Sequence, residues 1–386
     1  MQYRKLRANQ LFDGYEIQEN NSVLVMTVDG KVDDIVPLSE AGDDVQYHPG
    51  ILSPGFVNCH CHLELSHLKN SIPEKEGLVG FVSRVIKDRH LPEEQILAAI
   101  EEAENEMIEN SIMAVGDICN NSLTLTQKIK GRLRYHNFIE ASGFLPSLAN
   151  ERFRRAVDIF NNYASNPSIP AASNSIVPHA PYSVSEELWQ QIVDFPGNQL
   201  MTIHNQESMA EDELFLYRQG EFLDLYRNMN IDISFFQSSG KSSLQTYLSK
   251  FLPQQSLILV HNVHTTANDL LFARNTGHTI AWCLCPNANL YITGQLPDIP
   301  LLIKENCTIV LGTDSLASNH QLSILAEMQT IRRHFPDIPV EQLLAWATLN
   351  GAKALQMDTL LGSFEKGKQP GVTLLSSDLA ASRKLI

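Results

Sequence analysis

No stretch of the sequence runs for about 20 consecutive apolar residues, the length that spans a bilayer. The opening residues MQYRKLRANQLFDG carry basic side chains with no apolar segment behind them, so they do not read as a secretory signal. Basic clusters are missing as well. With 29 Lys and Arg against 44 Asp and Glu, the formal charge is −15. No basic run could neutralise a phosphate backbone, so nucleic acid is not an expected partner, though a small nucleoside is compatible with this charge. Six cysteines occur in 386 residues: Cys59, Cys61, Cys119, Cys283, Cys285 and Cys307. In a chain of this length without an export signal they are expected to be reduced thiols. These absences lead to the expectation of a cytoplasmic protein that meets neither membrane nor nucleic acid.

Apolar residues make up 43% and charged residues 19%, an ordinary globular composition. At 386 residues the chain exceeds what one core usually organises, so one large domain with a smaller appendage, or two domains, is expected. Residues 1–52 hold short alternating segments such as NSVLVMTVDGKVDDIVPL with Asp-Gly turns, a pattern of antiparallel strands. From Leu52 onward, short apolar runs alternate with longer helical stretches, in seven or eight units. This suits an α/β fold, a closed (β/α)8 TIM barrel over residues 53–360. An open doubly wound sheet would alternate in the same way, but no Gly-rich phosphate loop favours it. The segment GSFEKGKQPGVTLL resembles the N-terminal pattern, so residues 1–52 and 361–386 are expected to build one composite β-sandwich. Between Pro92 and Asn110, Ile96, Ile100, Ala103 and Met107 recur at helical spacing, with a glutamate stripe read as solvated surface.

The segment SPGFVNCHCHLELSHL places His60 and His62 two residues apart in an apolar run. In a strand, positions i and i+2 share a side, so both imidazoles face one way and Cys59 and Cys61 the other. That suits two nitrogen ligands on one metal, although an isolated pair of this kind is as consistent with packed histidines. Three later apolar runs also end in polar residues: His204 in LMTIHNQE, His261 in LILVHNVH and Asp314 in IVLGTDS. Barrel enzymes carry their chemistry at that end of the strands, and several strands agreeing is harder to assign to packing.

The motifs PGFVNCHCH, HAPYSVS, HNQES, HNVH, CPNANL, GTDSLASN, ATLNGAKAL and GSFEKGKQPG, in this order, resemble the amidohydrolase superfamily. The likeness is narrower to its cytosine deaminase, guanine deaminase and chlorohydrolase-like branch, and it spans nearly the whole chain. The resemblance implies one divalent metal, zinc or ferrous iron, held by His60, His62, His204 and Asp314. A binuclear site would carry a lysine on the fourth strand, and SIVPHAPYS has none. It further implies Glu207 as the carboxyl that moves protons, and His261, with His264 as its rival, as the imidazole that polarises the attacked centre. Asp314 would both ligate and accept a proton from the activated water.

His179 is the leading candidate for substrate contact, with Tyr182, Glu64 and Ser66 beside it. The HxHLELS form is similar to deaminases of adenine nucleosides, including aminodeoxyfutalosine deaminases. The implied reaction is hydrolytic deamination of an aminated N-heterocycle, an adenine-type nucleoside or related base, with release of ammonia. Opening of a cyclic amide or displacement of chloride on the same site is the enzymatic alternative. A non-catalytic scaffold is the other, disfavoured because a scaffold has no need of all six site residues. The short tail lacks the acidic Ala-Asp-Leu stretch of the family, which puts the completeness of the sandwich in doubt. Oligomeric state is not legible, and a homo-oligomer stays open.

Overall fold

The computed structural model describes residues 3–18 and 21–386. The apolar runs form eight strands in chain order: β1 (Phe56–Cys61), β2 (Ile112–Cys119), β3 (Arg134–Ala141), β4 (Asn174–Pro178), β5 (Leu200–Asn205), β6 (Ser256–His261), β7 (Ile280–Leu284) and β8 (Thr308–Leu311). β1 to β4 pair in parallel as one four-stranded sheet and β5 to β8 as another. β1 and β5 are buried at every position. Strands covered on both faces read as continuous apolar runs rather than alternations, which is the sequence pattern.

Two seams close the sheets into a TIM barrel. At one, the backbone N–H of His204 donates to the carbonyl of His179 at 3.0 Å. At the other, the N–H groups of Thr313 and Asp314 both donate to the carbonyl of His60 at 3.1 Å. The Asn58 side chain fastens this second seam, donating to Thr313 Oγ1 at 2.8 Å and accepting from Thr313 N at 3.1 Å. The approach is close: a Cβ on Gly312 would lie 2.8 Å from His60 Cβ. Only glycine leaves His60 its place.

The helix Glu93–Glu109 buries Ile96, Ile100, Ala103 and Met107, as their spacing predicts. Each such burial stabilises by roughly 1.5–3 kcal/mol for the larger side chains. Its acidic stripe is not wholly solvated, however. Glu104 is fully buried, accepting from Tyr135 Oη at 2.8 Å and from Gln127, with Arg132 3.4 Å away.

The chain's two ends meet in one seven-stranded mixed sheet. Val45–Pro54 pairs parallel with Tyr3–Phe12 on one side and antiparallel with Val372–Leu375 on the other, and Ser382–Lys384 adds at the edge. Leu6, Leu24, Met26, Leu52, Phe364 and Val372 form its core. Val45–Pro54 runs almost directly into β1, so this sheet anchors the strand that carries His60 and His62. All six cysteines are free. Among the described residues no helix is long and apolar enough to cross a membrane.

Candidate active site

His60, His62, His204, His261 and Asp314 converge where the barrel strands end, and none is more than 6% exposed. His204 Nδ1 donates to the carbonyl of His179 at 2.7 Å, which fixes the tautomer and leaves Nε2 as a lone pair. That nitrogen stands 3.2 Å from His62 Nε2. Asp314 Oδ1 lies 3.6 Å from Nε2 of both His60 and His62, and its Oδ2 accepts from Ser318 Oγ at 2.6 Å. Both ring nitrogens of His60 and Nδ1 of His62 are buried without a hydrogen-bond partner. Buried polar atoms without partners call for an explanation.

One divalent cation shared by these four residues would supply it. Two donors each about 2.1 Å from a tetrahedral zinc stand about 3.4 Å apart, close to the 3.2 and 3.6 Å separations here. Burial lowers the pKa of His62 to about 4 and that of His204 well below the ordinary value, so both rings are neutral, the ligating form. Burial pushes the Asp314 carboxyl up, but the His60 and His62 imidazoles outweigh it and hold it well below the ordinary range. The neutral His62 and His204 imidazoles and the Asp314 carboxylate fit a cation.

Two further groups face the cluster. His261 accepts from Asn289 Nδ2 at its Nδ1, 3.0 Å away, which leaves the ring proton on Nε2, 3.6 Å from Glu207 Oε1. Glu207 is 3% exposed; burial, then Asp314 and Glu211, raise its pKa well above that of an ordinary carboxyl. His261 and Asp314 adopt left-handed backbone conformations (φ 75° and 57°), as do Gln206 and Asn262 (44° and 62°). Nine other non-glycine residues share this geometry elsewhere among the described residues, but these four are grouped at the ends of three strands of one sheet.

A cavity of about 290 Å³ opens onto these side chains and takes in His179, Tyr182, Glu207 and His261. One wall is apolar, with Leu78, Phe81, Val82 and Val85 from the helix Gly77–Asp88. Tyr182 is stacked on Phe222 with ring centroids 4.1 Å apart. His179 Nδ1 stands 2.7 Å from Glu140 Oε2. Burial opposes ionisation of Glu140, yet His179 brings its pKa down to about 2. His264 does not line the cavity; its backbone N–H donates to the Gln206 carbonyl.

Glu64 and Ser66 also differ from expectation, because neither lines the cavity. Continued strand geometry would turn Glu64 to the same side as His62, but β1 stops at Cys61 and Leu63–Leu68 is a 3-10 helix. Glu64 is thereby turned to Arg89, 3.2 Å away, and to the Asn120 amide at 2.9 Å. Ser66 donates to the Leu63 carbonyl at 2.7 Å.

Sequence reasoning passed over Glu140 and Asn289. Glu140 stands near the end of an apolar strand run, the signal that singled out His204 and His261.

The family profile for amidohydrolases matches residues 51–384, and the chain belongs to the amidohydrolase family. It is similar to the 5-methylthioadenosine/S-adenosylhomocysteine deaminase of Teredinibacter turnerae, 26% identical over 363 residues that cover 89% of this chain and 76% of that protein. Helicobacter pylori adenosine deaminase is 25% identical over 338 residues, covering 85% and 79%. The fold is that of Helicobacter pylori aminofutalosine deaminase in complex with methylthio-coformycin, with a TM-score of 0.83 at 22% identity over 97% of this chain and 92% of that one.

Proposed function

We propose that the protein is a metal-dependent aminohydrolase that removes the exocyclic amine of an adenine-type nucleoside, with water as nucleophile and ammonia as product. The placement of His62, His204 and Asp314 on the same cavity as Glu207 and His261, with His60 grouped beside them, carries this reading. The relatives named for deamination of adenosine and of methylthioadenosine support the substrate class.

His60, His62, His204 and Asp314 would hold one zinc or ferrous ion, since three imidazoles and a carboxylate suit either. When bound, that ion supplies Lewis acidity, lowering the pKa of water toward neutrality. Glu207 handles the protons. Its buried carboxyl, held neutral, can give a proton to the ring nitrogen beside the amine-bearing carbon. As a carboxylate it can take one from the attacking water and pass it to the departing amine. His261 Nε2–H, oriented by Asn289, donates toward the space next to Glu207 and steadies negative charge that develops there. His179, with its Nδ1 held by Glu140, presents its other nitrogen to the substrate, and Tyr182 packs beside it. The apolar wall restricts water and accommodates the part of the nucleoside remote from the amine.

The test is ammonia release by zinc- or iron-loaded protein across adenosine, 5′-deoxyadenosine, 5′-methylthioadenosine, guanine, cytosine and aminotriazines. Release confined to the adenine nucleosides is expected. Ammonia from none of them, with metal bound, removes the reading.

A further inference from the structure

Behind Glu207 lies a second buried carboxyl that neither ligation nor proton transfer uses. Glu211 opens the helix Met209–Tyr217 and is fully buried. Its Oε1 accepts from the Gln206 backbone N–H at 3.1 Å and from the Ser243 hydroxyl. The backbone amide of Glu207 faces the same carboxyl. Its Oε2 is buried without a partner, and among the described residues no lysine or arginine pairs with it. Burying such a group costs free energy that an apolar side chain of the same size would not cost. Packing alone does not account for a glutamate here.

The turn it touches is strained. Gln206, in left-handed backbone geometry, lies between His204 and Glu207, so its orientation sets where both side chains point. It is tied down on several sides. Its side chain accepts from Thr265 Oγ1 at 2.9 Å and donates to Asp269 at 3.3 Å, and its carbonyl accepts from His264 N at 3.0 Å. Each of these contacts joins the turn to the segment after β6. Toward the helix that follows, the Gln206 side chain also reaches Asp212 Oδ2 at 3.5 Å, and the Glu211 carboxyl takes the turn's backbone N–H.

We infer that Glu211 is a positioning residue: by accepting the Gln206 amide it holds the left-handed turn after His204 and so aims the Glu207 carboxyl at the space beside His261. The inference rests on Glu207 as the proton carrier. Burial, which raises the Glu211 pKa to about 8, is consistent with it, since a neutral carboxyl still accepts a backbone hydrogen bond at neutral pH. A displaced catalytic group can cost about 100-fold in rate without any lost contact to substrate.

The test is a kinetic cycle on the metal-loaded enzyme with the nucleoside it deaminates, comparing wild type, E207Q, E211A, E211Q and E207Q/E211A, with metal content measured on each. E211A is expected to lower kcat about 10- to 100-fold while KM and bound metal stay within about twofold. E211Q keeps a carbonyl oxygen for the Gln206 amide and should stay within about threefold of wild type. Because Glu211 acts through Glu207, the double variant should be no slower than E207Q. Effects that multiply in the double variant, loss of metal from E211A, or a folded E211Q that is tenfold or more slower would each overturn the inference. Should E211A not fold, E211Q decides by the same criterion. Wild-type activity that survives E207Q would instead remove the assignment beneath it, as would a metal-loaded wild type that releases no ammonia.

Discussion

The two halves of the barrel treat buried charge in opposite ways. From β1 to β4 each buried acid has a basic partner: Asp117 with Lys128 at 2.5 Å, Glu104 with Arg132, Glu64 with Arg89, and Glu140 with His179. No non-glycine residue in left-handed geometry stands directly after any of these strands. From β5 to β8 the buried acids Glu207, Glu211, Asp212 and Glu327 have no lysine or arginine in ion-pair range among the described residues, and burial raises the pKa of each. Against burial, hydrogen bonds from Ser242 and Thr266 hold Asp269 low, and His60 and His62 hold Asp314 low. Three of these four strands end in residues with positive φ, at Gln206, at His261 and Asn262, and at Asp314. Against burial, pairing with His179 keeps Glu140 ionised, while burial raises the Glu64 pKa to about 7 despite Arg89 and makes it the exception. An uncompensated buried acid can exchange its proton. On the proposed reading, proton traffic belongs to the second half, and the first half supports His60 and His62.

That contrast breaks if its strongest member fails. E207Q should lower kcat about 10²- to 10⁴-fold with metal content unchanged, as expected for loss of a general acid and base. Near-wild-type turnover, measured as ammonia release, would move the proton transfer elsewhere.

The next effect in size is on stability, in the first half. Lys128 Nζ contacts Asp117, Asn137 Oδ1 at 2.7 Å and Cys119 Sγ at 3.2 Å, all fully buried, while Asp117 Oδ1 accepts from the Leu63 N–H at 2.8 Å. K128M leaves Asp117 as a lone buried charge and should destabilise by about 3–5 kcal/mol in chemical denaturation. D117N/K128M should recover much of that loss, because no charge is then stranded. Equal destabilisation of single and double variants would show that the pair's charges are not what matters.

The barrel, the His60 and His62 pair and the polar strand ends were legible because each depends on local spacing. Strand alternation puts two imidazoles on one side whatever the rest of the chain does. The placement of Glu64 differs from expectation because it depends on where a strand stops: a 3-10 turn after Cys61 replaces a period of two, and nothing in HLELSHL marks that switch. Glu140 and Asn289 were overlooked because each acts through another residue, His179 or His261, that is remote in sequence. Glu104 was hidden in a run of glutamates, only one of which the fold turns inward. The joining of Val372–Leu375 to Val45–Pro54 is likewise a long-range pairing that a short tail does not advertise.

A smaller prediction sharpens the comparison through pH. Glu211 has its folded pKa raised to about 8 from an ordinary value of 4.5, through burial. With a raised folded pKa, the folded state binds the proton more tightly than the unfolded chain. Its contribution to stability is therefore fully present below about pH 4.5 and is lost as pH rises through about 8. Over that window one such acid tilts unfolding free energy by on the order of 1 kcal/mol per pH unit. Asp212 and Glu207 neighbour this carboxyl and have raised pKa values of their own, while Tyr182 and Tyr247 face it with pKa values raised well above the ordinary 10, so the diagnostic is the difference between wild type and E211Q. Denaturation measured from pH 6 to 9 should fall less steeply in E211Q. Parallel curves would mean that Glu211 is already ionised, and that the second half balances its charge by a route other than holding protons.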